Sequence, residues 1–227
     1  MPSLSQLLAS HGTLLVLDAA STRVQAGLLR RSKPAIWHTA AGEAGAEIFQ
    51  GTESVLREAG ANLEAVGGYL FCEGPGSMLG IRSVAMALRT WQVLRLRPIF
   101  AYQSLAVAGR YAWSQAAPRE FTVIADARRD TWHCQPVHAD GRVGPLQRVP
   151  SAGLPGGEYV IPENFRAWAE PPAPARTCSY GLPAIFGSLE NEDLFRQTDR
   201  PDAFSHTAPE YKKWSAQIHQ APTAAGA

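Results

Sequence analysis

The chain has 227 residues, 45% of them hydrophobic and 18% charged, with a formal net charge of +1. That is the balance of a soluble globular protein with one large domain or two small ones, and its total charge gives no strong pull toward nucleic acid or a membrane. Cys72, Cys134 and Cys178 stand apart, with no CxxC pair and no ligand-spaced Cys/His set, so the sequence argues against structural zinc and for a reducing compartment. The N-terminus has no charged start followed by a long apolar segment, and the chain reads as cytoplasmic.

Residues 1–11 read as a short helix or a lead-in. Residues 13–18 (TLLVLD) are a compact apolar run ending on Asp18, the pattern of a central strand. The small, polar residues 19–23 suit a tight turn before a second strand at 24–30, and a third strand is expected at 35–39. Residues 43–59 form an amphipathic helix with Ile48, Thr52, Val55, Leu56 and Ala59 on its apolar side, stopped by Gly60. That stripe serves either the core or a partner helix, and the core is the commoner use.

A strand at 66–72 runs into Gly74-Pro75-Gly76-Ser77-Met78-Leu79-Gly80-Ile81-Arg82. From Met78 the apolar spacing is helical through Ile81, Val84, Ala85, Leu88 and Trp91, and Ser77 is placed to cap that helix. The turn is not a P-loop, because Ile81 and Arg82 follow Gly80. It is not a dinucleotide fingerprint, because Leu79 stands where the third glycine belongs. It is not a nucleophile elbow, because Pro75 and Leu79 flank Ser77 at two residues. Gly74 and Gly76 permit the tight turn, and Gly80 lets a neighbouring backbone approach closely. Arg82, one turn into the helix, is expected to reach a partner or an acidic residue of a cleft.

Arg97-Pro98 ends the helix, a strand follows at 99–102, and Ser104 is expected to cap a helix over 105–113. Residues 116–119 read as a linker. A strand at 121–124 then leads to Asp126, a turn and a strand at 131–138. Strand, aspartate, turn and strand thus occur twice, half a chain apart, as in a duplicated α/β unit. Beyond Val149 the signal thins to a short strand near 159–161, a Pro- and Ala-rich stretch at 162–177, a helix at 182–189, a final helix at 209–219 and a disordered tail at 221–227.

These residues resemble the TsaB (YeaZ) family, whose subunits serve tRNA threonylcarbamoyladenosine (t6A) synthesis. The family's GPGSFTGLR turn is matched at Gly74, Pro75, Gly76, Ser77, Gly80 and Arg82, with Met78-Leu79 replacing Phe-Thr. The start at residues 15–22 is similar in its strand and Asp18 but departs at Ala19-Ala20. Ile124-Ala125-Asp126-Ala127-Arg128-Arg129 resembles the start of the family's second half, and Pro209-Glu210-Tyr211-Lys212 its end.

The resemblance implies an actin-like, ribonuclease H-like fold of two related α/β subdomains, 1–116 and a smaller, irregular 117–227. It implies a non-catalytic dimerisation or scaffold subunit that supports a TsaD-like catalytic subunit. A TsaE-like ATPase is the further partner, a homodimer the alternative pairing, and tRNA is met only indirectly. Partner-facing candidates are Ile48, Thr52, Val55, Leu56, Ser77, Arg82 and Arg89. In the superfamily the two hairpins can cradle phosphates, which makes Asp18, Ser21, Thr22 and Asp126 candidate ligands for ATP or ADP with Mg²⁺. The family's catalytic partner holds its metal with paired helical histidines. His11, His38, His133, His138, His206 and His219 contain no i, i+4 pair, in keeping with a supporting subunit. Two other readings stay open: a stand-alone nucleotide- or metal-dependent enzyme of the superfamily, or a TsaB-like protein without its partner.

Overall fold

The computed structural model describes residues 1–116 and 119–206. Helix α1 (Leu4–His11) begins with a reciprocal cap, in which the Ser3 hydroxyl accepts from the Gln6 N–H and the Gln6 side chain accepts from the Ser3 N–H. Strand β1 (Thr13–Asp18) pairs antiparallel with β2 (Arg23–Arg30), and β2 with β3 (Lys33–Ala41). Helix α2 (Ala44–Glu58) crosses over to β4 (Gly68–Gly74), which lies parallel to β1. Helix α3 (Met78–Leu94) leads to β5 (Ile99–Gln103), parallel to β4, and α4 (Ser104–Ser114) follows.

The second half repeats the plan. Strands β6 (Phe121–Asp126), β7 (Thr131–Val137) and β8 (Gln147–Pro150) form an antiparallel meander. Strands β9 (Tyr159–Pro162) and β10 (Ala175–Cys178) add on the other side of β6, both parallel. After α5 (Leu182–Ser188) the chain returns to the first sheet as β11 (Arg196–Gln197), antiparallel to β5. The sheets run β11-β5-β4-β1-β2-β3 and β10-β9-β6-β7-β8. Leaving β11 aside, each sheet has two antiparallel strands on one side of its first strand and two parallel strands on the other. This is the actin-like, ribonuclease H-like fold with its α/β unit duplicated, and the two strand-end aspartates close equivalent hairpins.

Both faces of the first sheet are covered, because alternate residues of a strand point to opposite faces. Leu15, Leu17 and Phe71 pack under α2 and α3 with Ile48, Val55, Val84 and Leu88. Leu14, Val16 and Leu70 face the other way, into a core shared with α4, α5 and Val123 of the second sheet. Helix α4 is therefore the layer between the sheets. On the outer face of the second sheet Ile124, Trp132, Cys134 and Tyr159 form a small cluster closed by Val149, Leu154 and Ala169, with no α-helix over it among the described residues.

Three features differ from the sequence reading. Ser104 is the first residue of α4 rather than its cap; its hydroxyl donates to the Pro75 carbonyl and ties the helix to the glycine turn. The third strand runs longer than expected. Strands β8, β10 and β11 are short and mostly exposed, so they lack the alternation that marks a half-buried strand; Pro150 ends β8, as proline does at a sheet edge. The predicted helix at 209–219 and the tail at 221–227 lie outside the described residues.

Candidate functional site

The glycine turn packs directly on the first hairpin. The Ser77 N–H donates to the Ala20 carbonyl at 2.7 Å, and the Ser77 hydroxyl accepts from the Gly80 N–H at 3.4 Å as the cap of α3. A Cβ on Gly76 would stand 2.3 Å from the Ala20 carbonyl oxygen, and one on Gly80 2.3 Å from the Ala19 carbonyl oxygen. Gly80 therefore admits the backbone approach expected of it. Ala19 and Ala20 are each 2% exposed, so the turn that would cradle a phosphate is filled by the chain's own α3 launch.

Asp18 does not face the cleft. It is fully buried. Its Oδ2 accepts from the hydroxyls of Tyr102 and Tyr180, each at 2.7 Å, and its Oδ1 from the Ala20 N–H at 2.8 Å. Burial pushes its carboxyl above the usual range, against the lowering effect of the Ala20 N–H and the two phenols. A hydrated Mg²⁺ needs an accessible carboxylate oxygen, and this one is enclosed by two tyrosines. Ser21 is also buried; its hydroxyl donates to the Arg23 carbonyl and accepts from the Arg23 N–H. Thr22 is exposed, and its N–H donates to the Asn164 carbonyl at 2.7 Å.

Asp126 in the second hairpin is likewise engaged by protein donors. Its Oδ1 accepts from the Arg128 N–H at 2.6 Å, and its Oδ2 from the Trp168 and Ala169 N–H groups at 2.7 and 2.8 Å. Burial alone would raise its pKa. The three backbone donors and the Arg128 guanidinium outweigh that and hold it below the ordinary value. Arg128, Arg129 and Asp130 follow with φ of 63°, 53° and 55°, a left-handed turn that side chains disfavour and that the Asp126 bond helps to hold.

The cleft between the glycine turn and this hairpin has a volume of about 400 Å³ and is lined by Ser77, Leu79, Asp126, His133, Trp168 and Phe204 among others. His133 Nδ1 and His206 Nε2 are 3.1 Å apart in a stacked pair. Burial, then His206 and Arg148, push His133 down to about 4, so both rings are neutral near pH 7. Among the described residues no three His, Cys, Asp or Glu side chains are grouped to hold a metal. Asp18, enclosed by Tyr102 and Tyr180, does not fit a hydrated Mg²⁺, whereas Asp126 lies in the lining of the cleft.

The helix residues divide sharply. Ile48, Thr52, Val55 and Leu56 are all under 9% exposed and lie in or against the protein's own core, because α2 turns that stripe onto β2 and β3. The solvent side of the same helices carries Phe49, Leu79, Met86 and Val93, which are 55%, 73%, 57% and 86% exposed. Leu79, Met86 and Val93 recur every seven residues on α3, so they form one row. Phe49, on α2, meets Trp91 of α3 edge-on. Arg82 is exposed within this row and makes no hydrogen bond or ion pair among the described residues. Arg89 donates to the Pro201 carbonyl and pairs with Asp202 at 3.0 Å. The exposed row was readable from its spacing. Nothing local in the sequence marks Tyr180 or Trp168 as partners of the two aspartates.

No family model and no curated protein matches the chain. Among solved structures it is similar to YeaZ from Pseudomonas aeruginosa, at 21% identity and a TM-score of 0.62, covering 79% of this chain and 90% of that one. It is also similar to an uncharacterized protein from Pseudomonas aeruginosa with similarity to peptidase YEAZ, at 19% identity and a TM-score of 0.61, covering 78% and 89%. At these identities the likeness establishes the fold. No helix among the described residues is long and apolar enough to cross a membrane.

Proposed function

We propose that this chain is a non-catalytic scaffold subunit that docks, through the solvent side of α3 and the adjoining edge of α2, onto a TsaD-type catalytic subunit of tRNA threonylcarbamoyladenosine synthesis. The observation that carries the reading is the exposed row Leu79, Met86 and Val93, with Arg82 within it making no hydrogen bond or ion pair among the described residues. Large apolar side chains this exposed are costly unless covered, and burying each contributes about 1.5–3 kcal/mol. A seven-residue interval is the geometry of a helix seam, so the occupant presents a helix of its own. Arg82 and the outer end of Ser77 flank the seam and select a partner with an acidic group at its edge.

The YeaZ-like fold supports this assignment, and so does the enclosure of Asp18 by Tyr102 and Tyr180 in the first hairpin. Residues 1–116 supply the docking face, and residues 119–206 carry the second sheet. In the assembly a TsaE-type ATPase is the further partner, and tRNA is reached through the catalytic subunit. A second copy of this chain would use the same row, so homodimer and heterodimer compete. Co-elution with the TsaD-type subunit of the same cell tests the reading. Association that Met86→Asp abolishes supports it, and no association at micromolar concentration refutes it.

A further inference from the structure

Away from the cleft and the α3 row, a cavity of about 540 Å³ opens between α4, the β7–β8 connection and residues 192–196. Its base is formed by the ends of β4 and β5. Glu73 and Gln103 are neighbours there, since Gly74 lies opposite Gln103 in the strand pair. Glu73 is 8% exposed, and its Oε2 accepts from Arg196; no other hydrogen bond reaches that carboxylate among the described residues. The Gln103 Oε1 accepts from the Gln135 Nε2, which also donates to the Gly144 carbonyl. Those two bonds fix the Gln135 amide and leave its Oε1 without a partner among the described residues, on a side chain 3% exposed. A buried, unpaired acceptor costs about 1–3 kcal/mol. An orphan carbonyl near a half-used carboxylate calls for a donor.

The charges around the cavity point the same way. Its wall holds four carboxylates, Glu73, Asp140, Glu192 and Asp193, and three guanidiniums, Arg110, Arg142 and Arg196. Each guanidinium already has a carboxylate: Arg110 with Glu192 at 2.6 Å, Arg142 with Asp140 at 3.7 Å, and Arg196 with Glu73 at 2.5 Å. Asp193 makes no ion pair among the described residues. With four carboxylates against three guanidiniums the wall is net negative, and an entering cation exchanges with the Arg196 guanidinium at Glu73 while reaching the unpaired Gln135 Oε1. The Arg110 Nε is a buried donor of the same wall, also without a partner among the described residues. We infer that this cavity binds a small aliphatic amine, its ammonium on Glu73 and Gln103 next to the Gln135 amide and its methylenes along Ala106, Val143 and Leu194. An ammonium brings three donors, enough for the Glu73 carboxylate and the amide oxygens together. The Arg196 side chain, 54% exposed, holds the Glu73 position as a cation and is the group the amine displaces.

Calorimetric titration of the full chain with putrescine, and with succinate as an anion of the same length, tests this. Saturable binding of putrescine and none of succinate are expected. Glu73→Gln weakens the amine at least about tenfold, because a charge-assisted bond is lost. The exposed Asp193→Asn, which leaves the core untouched, weakens it by a smaller factor. The Gln135 side-chain amide resonance of the unaltered protein shifts on titration, a readout that needs no variant to fold. No saturable heat with putrescine, undiminished binding in a folded Glu73→Gln protein, an unmoved Gln135 amide, or succinate bound as tightly each overturns the inference.

Discussion

Replacing Gly80 by alanine sets helix propensity against packing. Gly80 lies in the first turn of α3, where alanine is favoured over glycine by up to about 1 kcal/mol. The new Cβ, however, would stand 2.3 Å from the Ala19 carbonyl oxygen and 3.0 Å from the Ala19 Cβ. Both belong to a buried hairpin turn that is bonded to Ser77, so neither can swing away as the tip of a flexible side chain would. Overpacking of this kind costs about 1–3 kcal/mol, and a backbone oxygen as the obstacle places it at the upper end. The net expectation is a loss of about 1–2 kcal/mol, or about 2–8 °C in Tm for a chain of this size. Gly187→Ala in α5 is the control, since a Cβ there meets nothing within 4 Å and gains propensity alone. Urea and thermal unfolding of the two variants beside the parent measure the difference. A Gly80→Ala protein as stable as the Gly187→Ala protein would refute the account of the glycine turn as a close-packed launch for α3.

Two further expectations concern the hairpins and the cleft. His133 has its folded pKa lowered to about 4 from 6.5, so its contribution is fully present above 6.5 and is lost as pH falls through about 4. Between pH 7 and 5 the protein should lose about 2 kcal/mol by this group, read as a falling urea midpoint. His133→Gln should flatten that slope, and an unchanged slope would contradict the burial of a neutral His133–His206 pair. Calorimetry with ATP and Mg²⁺ should show no binding. Tight binding lost in Asp18→Ala would mean that Tyr102 and Tyr180 swing away from Asp18 and that the hairpins hold nucleotide after all.

Much of the fold was legible because periodicity and punctuation agreed. The duplicated strand–aspartate–turn–strand pattern gave the repeated topology. Gly60, at φ of 61°, follows α2 where a left-handed residue was expected, and Ser77 caps α3 as its position predicted. Edge strands escaped because a strand with both faces half wet carries no alternation; the exposed residues of β10 show this. The roles of the aspartates were not legible for a different reason. A strand-end aspartate is the same in sequence whether it faces a cleft or two tyrosines. Tyr180 meets Asp18 across 162 positions of chain. An amphipathic helix shows its buried stripe most plainly in sequence, here Ile48, Thr52, Val55 and Leu56, while the exposed apolar residues are Phe49 on α2 and Leu79, Met86 and Val93 on α3.

The docking role of α3 is tested most directly by titrating the TsaD-type subunit into this chain and into its Met86→Asp variant by calorimetry. Met86 is 57% exposed, so the substitution leaves the monomer folded while placing a charge at the centre of the row. Association with the unaltered chain is expected, weakened at least about 30-fold in the variant, as for a central interface residue worth about 2 kcal/mol or more. Equal affinity for the two proteins would contradict the account and move the docking face away from α3.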